Sequence, residues 1–211
     1  MQKRNYQREL DAVLKELEQT GETPRLLLHA CCAPCSSYVL EYLSRYFSVT
    51  VFYYNPNIYP GEEYDHRVME IRRLIEEMDF THPVSLVEGP YDTERFFEMA
   101  KGMEDLPEGG ERCFACYRLR MEQAALLAKK NGFDYFTTTL SISPLKNADK
   151  LNEIGEELGK KYGVRHLPAD FKKREGYKRS IVLSKKYNLY RQDYCGCVFS
   201  QNEARRRKET L

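Results

Sequence analysis

Residues 25–37 read RLLLHACCAPCSS. The apolar run Leu26–Leu28, closed by His29 and Ala30, has the length and character of a buried strand. Pro34, Ser36 and Ser37 suit the first turn of a helix running to about Arg45, with Val39, Leu40 and Leu43 turned inward. Strand, tight turn and helix in that order open a parallel α/β sheet. A phosphate-binding turn at this place would carry glycine. This one has none, and carries Cys31, Cys32 and Cys35 instead.

The alternation continues on both sides. Upstream, Tyr6, Leu10, Val13, Leu14 and Leu17 recur at helical spacing, and GETP at 21–24 ends that helix. Downstream, SVTVFYYN at 48–55 is β-branched and aromatic, as a second buried strand requires. Tyr64, Val68, Ile71, Ile75 and Met78 mark one helical face, and a strand is expected at 83–87, then a helix at 92–101. Gly and Pro mark 102–112 as a loop, with Cys113 and Cys116 at its junction with a long helix to about Lys130. FDYFTTTLSISP at 133–144 reads as a strand ending in a polar loop. Two helices, near 147–162 and 174–187, precede YRQDYCGC and a short basic tail. The pattern predicts an α/β, parallel-sheet fold: a Rossmann-like three-layer sandwich of the HUP or PP-loop type with additional helices. One domain is expected over 1–211, with a basic segment at about 172–211.

A content of 42% hydrophobic and 31% charged residues fits a soluble globular protein and not a disordered one. No apolar stretch approaches the roughly 18 residues of a membrane span. The stretch MQKRNYQRELDAVLKELEQ lacks the apolar core of a secretory signal, so the cytoplasm is the expected compartment. There, thiols stay reduced, and seven cysteines cannot all pair. They fall into three tight groups: Cys31, Cys32 and Cys35; Cys113 and Cys116; Cys195 and Cys197. Such clustering points to metal binding or redox chemistry.

Ligands bind beyond the carboxyl ends of parallel strands, where Cys31 and Cys32 fall. With Cys113 and Cys116 they offer four thiolates from two segments to one centre. Zinc favours knuckles of two cysteines set apart, and an adjacent Cys31–Cys32 pair is a poor one. An iron–sulfur cluster spreads its ligands over several irons and is favoured over zinc. The Cys195-Gly196-Cys197 group can close only a very small, easily reduced disulfide ring, and Gly196 supplies the backbone freedom for it. A reversible dithiol is the preferred reading, with further metal ligation as the alternative.

HACCAPC at 29–35, ERCFACYRLR at 111–120 and DYCGC at 193–197 together resemble the cobalamin-independent epoxyqueuosine reductases, over nearly the whole chain. The resemblance implies reduction of epoxyqueuosine to queuosine at the tRNA wobble position, without cobalamin. It also implies a [4Fe-4S] cluster on Cys31, Cys32, Cys113 and Cys116, and a redox-active pair at Cys195 and Cys197. Converting an epoxide to an alkene takes two electrons and two protons, and a cluster and a dithiol together can handle both. An electron donor, which the sequence does not identify, must complete the cycle. Cys35 and Asp193 are candidate ligands for a second iron. Two rivals are a cluster-dependent tRNA-thiolation enzyme, which would need the missing glycine-rich loop, and a zinc-stabilised RNA-binding module.

Protonating the departing oxygen calls for an acid, and His29, Tyr54 and Tyr59 stand at or just beyond strand ends. YYNPNIYP at 53–60 is a candidate surface for stacking a flipped base. Residues 172–211 hold twelve Lys and Arg against four Asp and Glu, while the first 171 hold 21 basic and 28 acidic residues. ARRRKE at 204–209 and KKREGYKR at 172–179 are therefore candidate contacts to the tRNA backbone.

Overall fold

The computed structural model describes residues 4–209. Strands β1 (Arg25–His29), β2 (Ser48–Tyr53), β3 (Val84–Glu88), β4 (Tyr135–Thr138) and β5 (Arg165–His166) form one sheet in the order β3-β2-β1-β4-β5. All four neighbouring pairs are parallel. The connecting helices are α1 (Tyr6–Thr20), α2 (Ala33–Leu43), α3 (Gly61–Glu77), α4 (Thr93–Ala100), α5 (Glu111–Lys130), α6 (Ala148–Tyr162), α7 (Gly176–Lys186) and α8 (Val198–Glu209).

The three layers follow from the two-residue period of the strands. Leu26 and Leu28 of β1, with Val49 and Val51 of β2, pack on Leu10 and Leu14 of α1, Leu40 of α2 and Ile71 of α3. Leu27, Phe52 and Phe136 point the other way, onto Met121 and Ala125 of α5 and Ile154 of α6. Burying a leucine side chain contributes about 2 kcal/mol, so Leu26, Leu27 and Leu28, all fully buried, tie both helical layers to the central strand. Gly21, at φ +69°, ends α1 where GETP was expected to end it.

Three details differ from the sequence expectation. Cys113 and Cys116 lie inside α5, one turn into the helix, and not in a loop before it. Two residues, Arg165 and His166, pair with β4 as an extra edge strand. The basic tail is helical: α8 follows directly on Cys197. Among the described residues no helix is long and apolar enough to cross a membrane.

The strand order reverses between β1 and β4, and this leaves a crevice beyond their carboxyl ends. Cys31 and Cys32 follow β1 there, and a single 3₁₀ turn, Thr139–Ile142, follows β4.

Candidate functional site: cysteines at the carboxyl edge of the sheet

The chain leaves β1 under tight backbone control. The Ala30 N–H donates to the Phe52 carbonyl at 3.0 Å, and the Ala30 carbonyl accepts from Asn55 Nδ2 at 2.8 Å. Cys32 then caps α2 in an extended conformation, with Pro34 in the first turn. The Sγ atoms of Cys31, Cys32 and Cys35 consequently lie within 4.8 Å of one another, a group able to hold a metal ion or cluster. Hydrogen bonds from Cys32 and Cys35, aided by the charges of Arg120 and Lys146, hold the Cys31 thiol well below its usual value. Hydrogen bonding to Cys31 pushes Cys32 up to about 12, and hydrogen bonding to Cys31 and Cys32 holds Cys35 well above its usual value. The triad therefore favours one thiolate shared by two thiols, and a metal would take the place of those protons.

The other four cysteines come from two segments, α5 and the loop before α8. Cys113 accepts a hydrogen bond from the Gly109 N–H at 3.2 Å, and burial raises its thiol. Burial pushes Cys116 up to about 12. The Cys195-Gly196-Cys197 loop is held on every side. Arg67 Nη1 donates to the Cys195 carbonyl at 3.0 Å, and the Tyr59 N–H donates to the Gly196 carbonyl at 3.0 Å. Ser200 Oγ accepts from the Cys195 N–H at 3.1 Å, and the Ser200 N–H donates to Cys197 Sγ at 3.4 Å. Gly196 sits at φ +118°, and a Cβ there would meet Arg67 Nη1 at 2.9 Å, so the loop requires glycine on both counts. All seven cysteines are free thiols.

Two cavities divide the groups between them. Cys31, Cys32, Cys35 and Cys195 line the larger, of about 330 Å³, together with Lys146 and Arg67. Cys113, Cys116, Cys195 and Cys197 line the smaller, of about 20 Å³, with Arg120 and Asn57. Cys195, Lys146 and Glu108 belong to both, and Lys146 Nζ lies 3.2 Å from Cys195 Sγ.

Three arginines are buried around these thiols: Arg67, Arg112 and Arg120. Arg67 pairs with Glu63 at 2.7 Å. Arg112 donates to the carbonyls of Met103 at 3.0 Å and Glu104 at 2.8 Å. Arg120 donates from Nη1 to Asn55 Oδ1 at 3.1 Å, while its Nε and Nη2 are buried without a protein partner. Both side-chain polar atoms of Asn57 and the Tyr53 hydroxyl are buried without partners as well. Buried polar groups are normally satisfied, so this surplus of donors and positive charge fits an anionic thiolate-bound metal group. Sequence reading passed over Arg120, although Cys113, Cys116 and Arg120 recur at the i, i+3, i+7 spacing of one helical face. No sequence signal singles out Asn57.

The candidate acids divide. His29 is fully buried, with Nδ1 2.8 Å from Thr138 Oγ1 and Nε2 3.2 Å from the Tyr54 carbonyl. Burial, with the Arg120 charge, lowers it to about 3, so it is a neutral brace between strands and holds no extra proton to give. The Tyr54 ring is buried and stacked on Phe52 at 5.9 Å. Tyr59 is exposed, edge-on to Phe97 at 6.3 Å. Asp193 lines the larger cavity but is exposed and paired with Lys208 at 2.6 Å. Residues Arg205–Lys208 are exposed on α8. In the 172–179 stretch, Lys172 pairs with Asp170, Arg174 with Asp11 and Arg179 with Glu41.

The sequence that carries these motifs matches known proteins. The family model for epoxyqueuosine reductase QueH matches residues 26–203. The chain is 43% identical over 205 residues to an epoxyqueuosine reductase QueH of Staphylococcus epidermidis, covering 94% of this chain and 85% of the relative. It is 40% identical to that of Streptococcus pyogenes, over 94% and 79% of the two chains. To that of Thermotoga maritima it is 37% identical, over 85% and 92%. A match that runs through all three cysteine motifs, at this identity and over most of each relative, establishes that the chain belongs to the epoxyqueuosine reductase QueH family, whose members are oxidoreductases.

Proposed function

We propose that this protein reduces epoxyqueuosine to queuosine in the wobble position of tRNA, in the cytoplasm. In this reading Cys31, Cys32, Cys113 and Cys116 hold a [4Fe-4S] cluster, and Cys195 and Cys197 form the redox pair. The observation that carries it is the larger cavity: beyond the carboxyl end of β1, it brings the Cys31–Cys35 thiols and Cys195 to one space of about 330 Å³. That space can admit a modified base turned out of the anticodon loop.

The chemistry balances on this chain's own thiols. The epoxide loses its oxygen as water and becomes an alkene, taking two electrons and two protons. Cys195 and Cys197 supply both by closing to a disulfide, and an external electron donor reopens it. The cluster, when bound, supplies one-electron transfer. Lys146 holds Cys195 by its ammonium and borders both cavities, and Arg67 fixes the backbone that carries the pair. His29 is a brace; it does not donate the proton.

One observation favours a wider ligand set. Cys35 lies with Cys31 and Cys32 within 4.8 Å, which supports it as a further ligand, to the cluster or to a second iron. Anaerobic purification with iron, sulfide and zinc analysis tests the centre, and a single-turnover assay on epoxyqueuosine-tRNA tests the reaction. A brown protein with iron and sulfide that yields queuosine is expected. A colourless zinc protein, or a brown one inert toward this tRNA with reductant supplied, would overturn the reading. Cys113→Ala is expected to lose iron and turnover, and Cys35→Ala to be milder, since four thiolates remain for the cluster.

A further inference from the structure

Arg120 is 1% exposed, and among the described residues no carboxylate pairs with it. Its one hydrogen bond, to Asn55, anchors the guanidinium through Asn55 to the Ala30 carbonyl at the end of β1. Nε and Nη2 remain free and buried. Asn57, also 1% exposed, has neither side-chain polar atom satisfied. Both residues line the small cavity with Cys113, Cys116, Cys195 and Cys197. Asn55 thus ties Arg120 to the chain just before Cys31, while the small cavity sets it among the other cysteines. A fold that leaves a guanidinium and an amide unsatisfied at one place needs an acceptor there, and thiolate and sulfide sulfur are such acceptors.

We propose that Arg120 and Asn57 are positioning residues for the iron–sulfur group: they donate hydrogen bonds to its sulfur atoms and set its reduction potential. Reduction adds one negative charge to the centre. A fixed cation and oriented N–H donors beside it stabilise the reduced form more than the oxidised one, so they raise the potential. Asn55 keeps the guanidinium from turning away.

The inference rests on the iron–sulfur reading, and the two fail separately. Wild-type protein purified anaerobically without iron and sulfide would remove the reading itself. With the cluster present, the full chain is titrated with dithionite and mediators while the visible absorption is followed. In Arg120→Met the reduction equilibrium is expected to fall at least tenfold, ~59 mV for a one-electron couple. Asn57→Leu should shift it the same way by roughly threefold, and Arg120→Lys, which keeps the charge, should recover much of the Arg120→Met loss. A purely structural role would lower stability and leave the midpoint unmoved. Arg120→Met and Asn57→Leu proteins with wild-type iron, sulfide and midpoint would overturn the proposal. If Arg120→Met does not fold, Asn57→Leu decides by the same criterion.

Discussion

Cys195 is where the two cavities meet, and the consequence is sharpest at the level of that one sulfur. If it and Cys197 form the two-electron store, Cys195→Ser should keep its iron and brown colour while turnover falls by about a hundredfold or more. Iron analysis beside single-turnover kinetics checks this, and loss of iron would make Cys195 a ligand. A second prediction belongs to His166. Burial lowers it to about 4, its Nδ1 has no protein partner, and it packs edge-on to Phe136 at 5.3 Å. The unfolded chain takes up this proton near pH 6.5 and the folded protein does so only near 4. The stabilisation from keeping His166 neutral is therefore complete above pH 6.5 and is lost as pH falls toward 4. The loss is about 3 kcal/mol. Thermal unfolding between pH 7 and 4.5 should show a shallower acid decline in His166→Gln than in wild type; parallel curves would refute this. Single residues also set what the sequence could reveal. The seven thiols announced themselves, whereas Arg120 looked like any helix arginine until the fold buried it without a carboxylate.

At the scale of elements, α7 illustrates how closely the layers meet. A Cβ on Gly176, the first residue of α7, would stand 2.0 Å from the Phe171 carbonyl and 2.5 Å from Tyr38 of α2. The first neighbour is backbone and cannot swing aside. Gly176→Ala should cost about 2–3 kcal/mol, read as a lower denaturation midpoint with an unchanged slope. Full stability in this variant would mean that α7 can retreat from α2. Legibility of the elements tracked their apolar pattern. The run Leu26–Leu28 was readable because both faces of its strand are buried, and the helical stripe Tyr64, Val68 and Ile71 because one face of its helix is. α8 was not, since its buried positions are only Ser200 and Ala204, and no apolar stripe separates VFSQNEARRRKE from a solvated tail. β5 is two residues long and exists through its pairing with β4, which no local signal can report. Cys113 and Cys116 seemed to precede a helix because Gly109 and Gly110 lie so near; Gly110 is in fact the cap, and the helix begins at once.

Across the whole molecule, the basic surplus of the last forty residues is partly spent on the chain itself. Asp11 of α1 and Glu41 of α2 take up Arg174 and Arg179, acids that sequence distance hid from the 172–179 stretch. The arginines of α8 are exposed too, Arg207 with Glu108 at 3.6 Å, and their clustering at one helix end makes them candidates for tRNA. Replacing Arg205, Arg206 and Arg207 together by Ala should weaken tRNA binding and reduce the salt dependence of log K by roughly 2–3. Iron content should be unchanged. Nitrocellulose or fluorescence titration over a salt series checks this, and an identical slope would assign the tail no phosphate contacts. The fold class and the three cysteine motifs were thus visible in the chain, while their division between two cavities depended on how α3, α5 and α8 come together. One consequence concerns the clamp on the Cys195–Cys197 loop, which α3, α8 and the segment after β2 all grip. Folding has already met the cost of ordering that backbone, so each sulfur of the proposed pair experiences the other at a high effective molarity. A mixed disulfide with glutathione or another small thiol at Cys195 would then resolve onto Cys197 before it accumulated.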